Sequence, residues 1–148
     1  MNAHVVRFLA VVALATVAFT RSADANAPAG RYTTTGGTVY DTKTKLTWQQ
    51  TVAPVTYTWA GAKTYCAGLN LGGTGWRLPT VKELQTIVDD SRTNPPIDAT
   101  AFPSTPAGTF WSSSPLAGSS SGAWDVRFDS GRTEAGSVSL TNIVRCVR

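Results

Sequence analysis

The spacing of apolar residues changes period several times along the chain, and each change marks an element. In residues 36–50 (GGTVYDTKTKLTWQQ), Val39 and Leu46 flank a polar run from Asp41 to Lys45, and Trp48 closes the far side. Two short apolar arms around a polar turn predict a β-hairpin. After a Pro-containing connection at 51–57, residues 57–73 switch to a spacing of three and four, with Trp59, Ala62, Tyr65, Cys66 and Leu69 in phase. That period predicts a helix with Cys66 on its buried face, capped by Thr58 and stopped by Gly72-Gly73. Residues 78–90 (LPTVKELQTIVDD) predict a second helix. Thr80 and Glu83 have the spacing of a capping box, and Leu84, Ile87 and Val88 form its apolar face. Asn94-Pro95-Pro96 ends it.

From 91 to 122 the period is lost. Pro103, Pro106 and Pro115 punctuate a stretch that ends Ser-rich, and it reads as a long loop in which Phe110 and Trp111 must find a core. Alternation returns at 123–136. Trp124, Val126 and Phe128 point one way, and Asp125, Arg127 and Asp129 the other, which predicts a strand with one wet face and a turn at Asp129–Gly131. NIVRCVR, residues 142–148, reads as a last strand carrying Cys146. Hairpin, helix, helix, loops and strands in that order predict an α+β fold: two helices, a small antiparallel sheet and long loops.

The first residues belong to a different pattern. Phe8 to Thr20 is an apolar run without an acidic residue, preceded by a short basic segment and followed by Ala23-Asp24-Ala25 and Ala25-Asn26-Ala27. This is the form of a secretory signal peptide. Cleavage is expected after Ala25 rather than Ala27, because Pro28 would follow the second site. The expectation is a signal peptide over 1–25, a single domain over 26–148, and a secreted or periplasmic location. The run is shorter than the roughly 20 residues that span a bilayer, and no second run follows, so no membrane insertion is expected after cleavage.

Charge and residue types narrow the chemistry. A net charge of +4 with 15% charged residues and no Lys/Arg cluster argues against a nucleic-acid partner. The one histidine, His4, lies in the leader, so the mature chain has no His base, no Ser–His or Cys–His pair and no His metal ligand. Its carboxylates are Asp41, Glu83, Asp89, Asp90, Asp98, Asp125, Asp129 and Glu134, and none falls in an alternating calcium-loop pattern. The expectation is no catalytic residue, no metal and no cofactor. The five tryptophans are assigned to the core. Arg92, Arg127 and Arg132 remain as a candidate anion-binding edge, with a solvated strand face as the plainer reading of the last two. An exported chain with Cys66 and Cys146 favours one disulfide over a reactive thiol pair, closing a loop of about 80 residues and stabilising by about 4–5 kcal/mol in the chain-entropy model.

GTGWRLPTVKEL, residues 73–84, looks the most site-like. It reads instead as a joint: Trp76 and Leu78 anchor it, Pro79 and Thr80 start the helix, and Glu83 completes the cap. Arg77 is left for a structural ion pair.

VYDTKTKLTW, TWAGAKTYCAGLNLGGTGWRLPTVKELQTIVD, FWSSS, AWDVRFDSG and VRCVR occur in the order seen in the Lcl C-terminal domain family, over roughly residues 36–148. The chain resembles that family, found at the C-terminus of a bacterial collagen-like adhesin and in many exported proteins. The resemblance implies a C-type-lectin-like fold, related through its RLPT element to the formylglycine-generating enzymes, and a helix-to-last-strand disulfide. It also implies binding of sulfated polysaccharide, the ligand associated with the adhesin. Lys45 stands where the family usually has Gly, and the collagen-like region is missing. So are the Glu-Pro-Asn and Trp-Asn-Asp motifs of calcium-dependent lectins. The expected function is a non-enzymatic adhesion module for a glycan or an extracellular protein. The alternatives are a formylglycine-generating-type oxidoreductase and a surface component without a ligand.

Overall fold

A computed structural model describes residues 29–148; the signal peptide expected over 1–25 lies outside the described residues. Two antiparallel three-stranded sheets and two helices make an α+β structure, where one small sheet was expected. The first sheet holds β1 (Tyr32–Thr35), β2 (Thr38–Asp41) and β3 (Thr47–Gln49) in that order. Strands β2 and β3 are the expected hairpin, with Val39 opposite Trp48. Strand β1 precedes the expected hairpin, in a stretch whose apolar spacing predicts no element. Its Thr33, Thr34 and Thr35 are exposed, and its order comes from pairing with β2 and from Arg31. The Arg31 guanidinium grips the fully buried Asp41 carboxylate through Nε at 3.1 Å and Nη2 at 2.7 Å, and Nη2 also donates to the Thr86 carbonyl at 2.6 Å. Asp41 is thus more than a turn residue, and this pair ties the first sheet to the end of the second helix.

Helix α1 (Trp59–Gly68) starts at Thr58, whose hydroxyl accepts the Gly61 N–H. It ends five residues before the expected Gly-Gly stop, with Leu69 already extended. Helix α2 (Val81–Gln85) spans five residues rather than running to Asp90. So short a helix is marginal in water. The capping box holds its start, and Leu84 and Ile87 sink into the core. Residues 86 and 87 continue as a turn; the Asp89 N–H bonds to the Pro96 carbonyl, off the helical path.

The second sheet orders β4 (Thr109–Pro115), β5 (Gly122–Arg127) and β6 (Thr133–Ser137). Strand β4 lies inside the expected loop and carries the two aromatics that needed a core: Phe110 and Trp111 are fully buried on opposite faces. Strand β5 departs from the one-wet-face expectation. Val126 and Phe128 are buried as predicted, but Asp125 is buried too and Trp124 only half so. With β4 and β6 on either side and a core on each face, no side of its middle stays wet.

Residues 142–148 form no continuous strand. They pair singly with several partners and so join both sheets. Ile143 exchanges hydrogen bonds with Thr109 and Trp111 of β4; Cys146 and Arg148 bond to Gln49 and Thr47 of β3; Val147 pairs with Arg77. One core gathers Val39, Trp48, Leu84, Phe102, Phe110 and Phe128, and the other Trp76, Leu78, Trp111, Ala123 and Val144 around Cys66–Cys146. Each large apolar side chain so buried contributes about 1.5–3 kcal/mol. The disulfide is formed, with Cα atoms 5.4 Å apart and a sequence separation of 80.

Candidate functional site

The joint at 73–84 is rigid. Gly73 has φ +124°, a backbone conformation that favours glycine, and a Cβ there would also push aside the Arg148 guanidinium, 2.6 Å away. Arg148 in turn lies 4.9 Å above the Trp76 ring. Trp76 and Leu78 are buried in the second core. Arg77 reaches Glu83 with two prongs, Nη1–Oε2 at 2.8 Å and Nη2–Oε1 at 2.6 Å. The same Oε2 accepts the Thr80 N–H at 2.8 Å and its hydroxyl at 3.0 Å. Hydrogen bonds from Arg77 and Thr80 outweigh burial and hold the Glu83 carboxyl down at about 2.

The three arginines of the expected anion edge gather around one turn. Arg127 N–H bonds to the Arg132 carbonyl at 2.8 Å, and Arg92 lines a 130 Å³ cleft together with Asp129 and Ser130. Their charges are largely spent. Arg92 is paired with Asp89 at 3.0 Å, and Arg127 with Asp129 at 2.5 Å and Glu134 at 3.5 Å. The cleft also presents Asp90. Of the three arginines, only Arg132 is exposed and forms no ion pair among the described residues.

Two buried charges were not foreseen. Arg145 is 1% exposed and has no carboxylate partner among the described residues. Its Nη2 donates to the Gln50 carbonyl at 3.1 Å and to Thr105 Oγ1 at 2.9 Å, and its guanidinium lies 4.6 Å from the Phe102 ring. Burial lowers its pKa to about 9, so it stays a cation at neutral pH. Asp125 is 4% exposed, its Oδ1 has no hydrogen-bond partner among the described residues, and Glu134 faces it across the β5–β6 pairing. Burial first and then the Glu134 charge raise its carboxyl to about 6. Gly136 makes room for it: a Cβ there would lie 2.9 Å from Asp125 Oδ2.

A larger groove runs between α1, the joint and β4. It measures 480 Å³, has mostly apolar walls, and is lined by Lys63, Ala67, Arg77, Leu78, Thr80 and Ser113. Binding sites for small ligands share this make-up, an apolar bed with a few polar groups aimed into it. Helix α1 supplies Lys63 and Ala67, the joint Arg77 to Thr80, and β4 Ser113. Beside it sits Trp59, half-buried, with its Nε1 fixed to the Ser112 carbonyl at 2.7 Å. Trp59 and Lys63 are four apart on α1, and the Lys63 ammonium lies 3.4 Å from the centre of the Trp59 ring. The groove eluded sequence reading because α1 and β4 are some fifty residues apart. The signal within reach was Lys63 one helical turn beyond Trp59.

Neither cysteine offers a thiol, since both are fully buried in the disulfide. Among the described residues, no cluster of three or more His, Cys, Asp or Glu could hold a metal ion, and no helix is long and apolar enough to cross a membrane.

A family model described as the Lcl C-terminal domain matches residues 37–148. No curated protein matches the chain.

Proposed function

The chain belongs to the Lcl C-terminal domain family, and from that premise we propose that it is an exported, non-enzymatic binding module that takes a glycan in the groove between α1 and β4. The observation that carries this reading is the groove itself: Leu78 and Ala67 offer an apolar bed, Lys63 and Ser113 offer polar groups at its edge, and Arg77 and Thr80, already bonded to Glu83, close its rim. Sugars present one apolar ring face and many hydroxyls, which such a surface matches. Sulfated polysaccharide is the first class to test. The site moves from the expected arginine edge because Arg92 and Arg127 are already paired with their own carboxylates. The fold is read as a C-type-lectin-like variant, with ligand contacts assembled by loops and helix ends over a disulfide-stapled core. The Cys66–Cys146 bond weighs against the formylglycine-generating alternative, which needs free thiols.

Export and glycan binding are tested together by expressing the full chain with its leader and passing the exported, folded protein over a glycan array and a heparin column. Retention that falls in the variants Lys63→Glu and Ser113→Trp, which charge-reverse and fill the groove, is the expected result. A folded protein that binds no glycan in any class, at low as well as moderate salt, overturns the reading.

A further inference from the structure

Resting on that reading of the groove, we propose that Lys63 acts as a charge-operated cover on Trp59, so that an acidic sugar opens its own stacking platform and a neutral sugar meets it closed. The indole is held in place, its Nε1 bonded to the Ser112 carbonyl at 2.7 Å. Its ring is half-buried, and the Lys63 ammonium rests 3.4 Å from its centre. Lys63 also lines the groove, so the residue that covers the ring is the one that meets a ligand there.

The charges around it set the sign. Arg77, the other cation of the groove, is neutralised by two bonds to Glu83. Lys63 is the groove's one cation without an ion pair among the described residues. A carboxylate or sulfate on a sugar therefore has one unpaired charge to meet. A cation lying on an exposed aromatic face is held weakly, and a negative ligand group competes with it directly. Once Lys63 swings onto that group, the indole face is free for the sugar ring. A neutral sugar must displace the ammonium with only uncharged hydroxyl oxygens to offer it. The cover thus acts against neutral sugars as well as for acidic ones, and specificity is the difference between the two.

The test compares three probes by calorimetry: a hyaluronan hexasaccharide, which carries carboxylates only; its carboxyl-reduced, neutral counterpart; and a carboxyl-reduced chondroitin sulfate hexasaccharide, which carries sulfates only. The two acidic probes decide which acid group Lys63 prefers. Wild type is expected to favour the better acidic probe over the neutral one by roughly ten-fold, the scale of one charge-assisted contact. Lys63→Ala should weaken the acidic probe and strengthen the neutral one by about two- to five-fold, the weight of the lost cation–ring contact, bringing the ratio close to one. Trp59→Ala should weaken all three. If that variant does not fold, an indole Nε1–H NMR signal of Trp59 that shifts with the acidic probe in wild type, and with the neutral probe only in Lys63→Ala, reads the same point. A wild type that binds both kinds equally, or a ratio unaltered in Lys63→Ala, overturns this proposal and leaves the groove standing as a glycan site. A wild type that binds none of these probes overturns it, and a glycan array empty as well removes the groove reading.

Discussion

Arg77 and Glu83 meet in a two-pronged ion pair, and the Glu83 oxygen that takes one prong also closes the cap on α2 through Thr80. Reaction chemistry is not needed to explain why Arg, Thr and Glu stand together there. One carboxylate ties the incoming chain to the helix that follows.

Loss of the cap should be measurable by itself. Thr80→Ala is expected to cost about 1 kcal/mol in urea unfolding. The fold and any glycan affinity should persist, since Thr80 is only one rim residue of the groove.

Acid sensitivity follows from the same pair. The Glu83 carboxyl is lowered from 4.5 to about 2, so its contribution is full above about pH 4.5 and is lost as pH falls through about 2. Arg77→Ala removes the largest cause of that shift. The contribution should then be smaller and its loss complete at a higher pH, seen as an acid-unfolding midpoint moved upward relative to wild type.

Asp125 works in the opposite direction. Its carboxyl is raised from 3.8 to about 6, so the folded state holds a proton that the unfolded chain releases. That contribution is full below about pH 3.8 and is lost as pH rises through about 6. Asp125→Asn removes the buried charge while keeping the shape. It should stabilise the protein at pH 7.5, by about 1 kcal/mol, and flatten the pH dependence of Tm between 4 and 7.

Lys45 has φ +63°, a left-handed conformation that L side chains adopt at a cost. The glycine expected at this position from the family pattern has no such cost. Lys45→Gly should raise stability by about 0.5–1 kcal/mol in denaturant unfolding, and a loss of stability would mean that the Lys side chain holds the turn.

Cleavage of the disulfide should matter more than any of these. Cys66→Ser with Cys146→Ser removes a link across 80 residues, and a loss of about 4–5 kcal/mol is expected, matched by wild type unfolded in reductant.

What the sequence makes legible here is local. The β2–β3 hairpin, the two helix starts at Thr58 and Thr80, and the Trp76–Leu78 anchor each rest on residues within a few positions of one another. What it hides is long-range. Strand β4 looks like a Ser- and Pro-rich loop because its partners, Ala123 to Arg127 and Ile143, lie elsewhere in the chain. Asp125 reads as wet because alternation reveals which residues share a face, not whether the second face is also covered. The helices overrun in the reading because Leu69, Ile87 and Val88 keep the apolar period after the backbone has left the helix. The groove is the extreme case, drawn from three segments that no local period connects.

Residues 142–148 carry a consequence for how the protein acquires its structure. Strand β3 pairs outward only with this segment, about a hundred residues later in the chain, and β4 takes its second neighbour from it. Neither sheet has its full set of partners until these seven residues arrive. Contacts so distant slow the search for the folded state. A chain emerging N-terminus first would carry two open sheet edges and a bare Cys66 for most of its passage. Its stability as a whole is then an all-or-none property, and a fragment stopped at residue 141 should remain largely unfolded by circular dichroism.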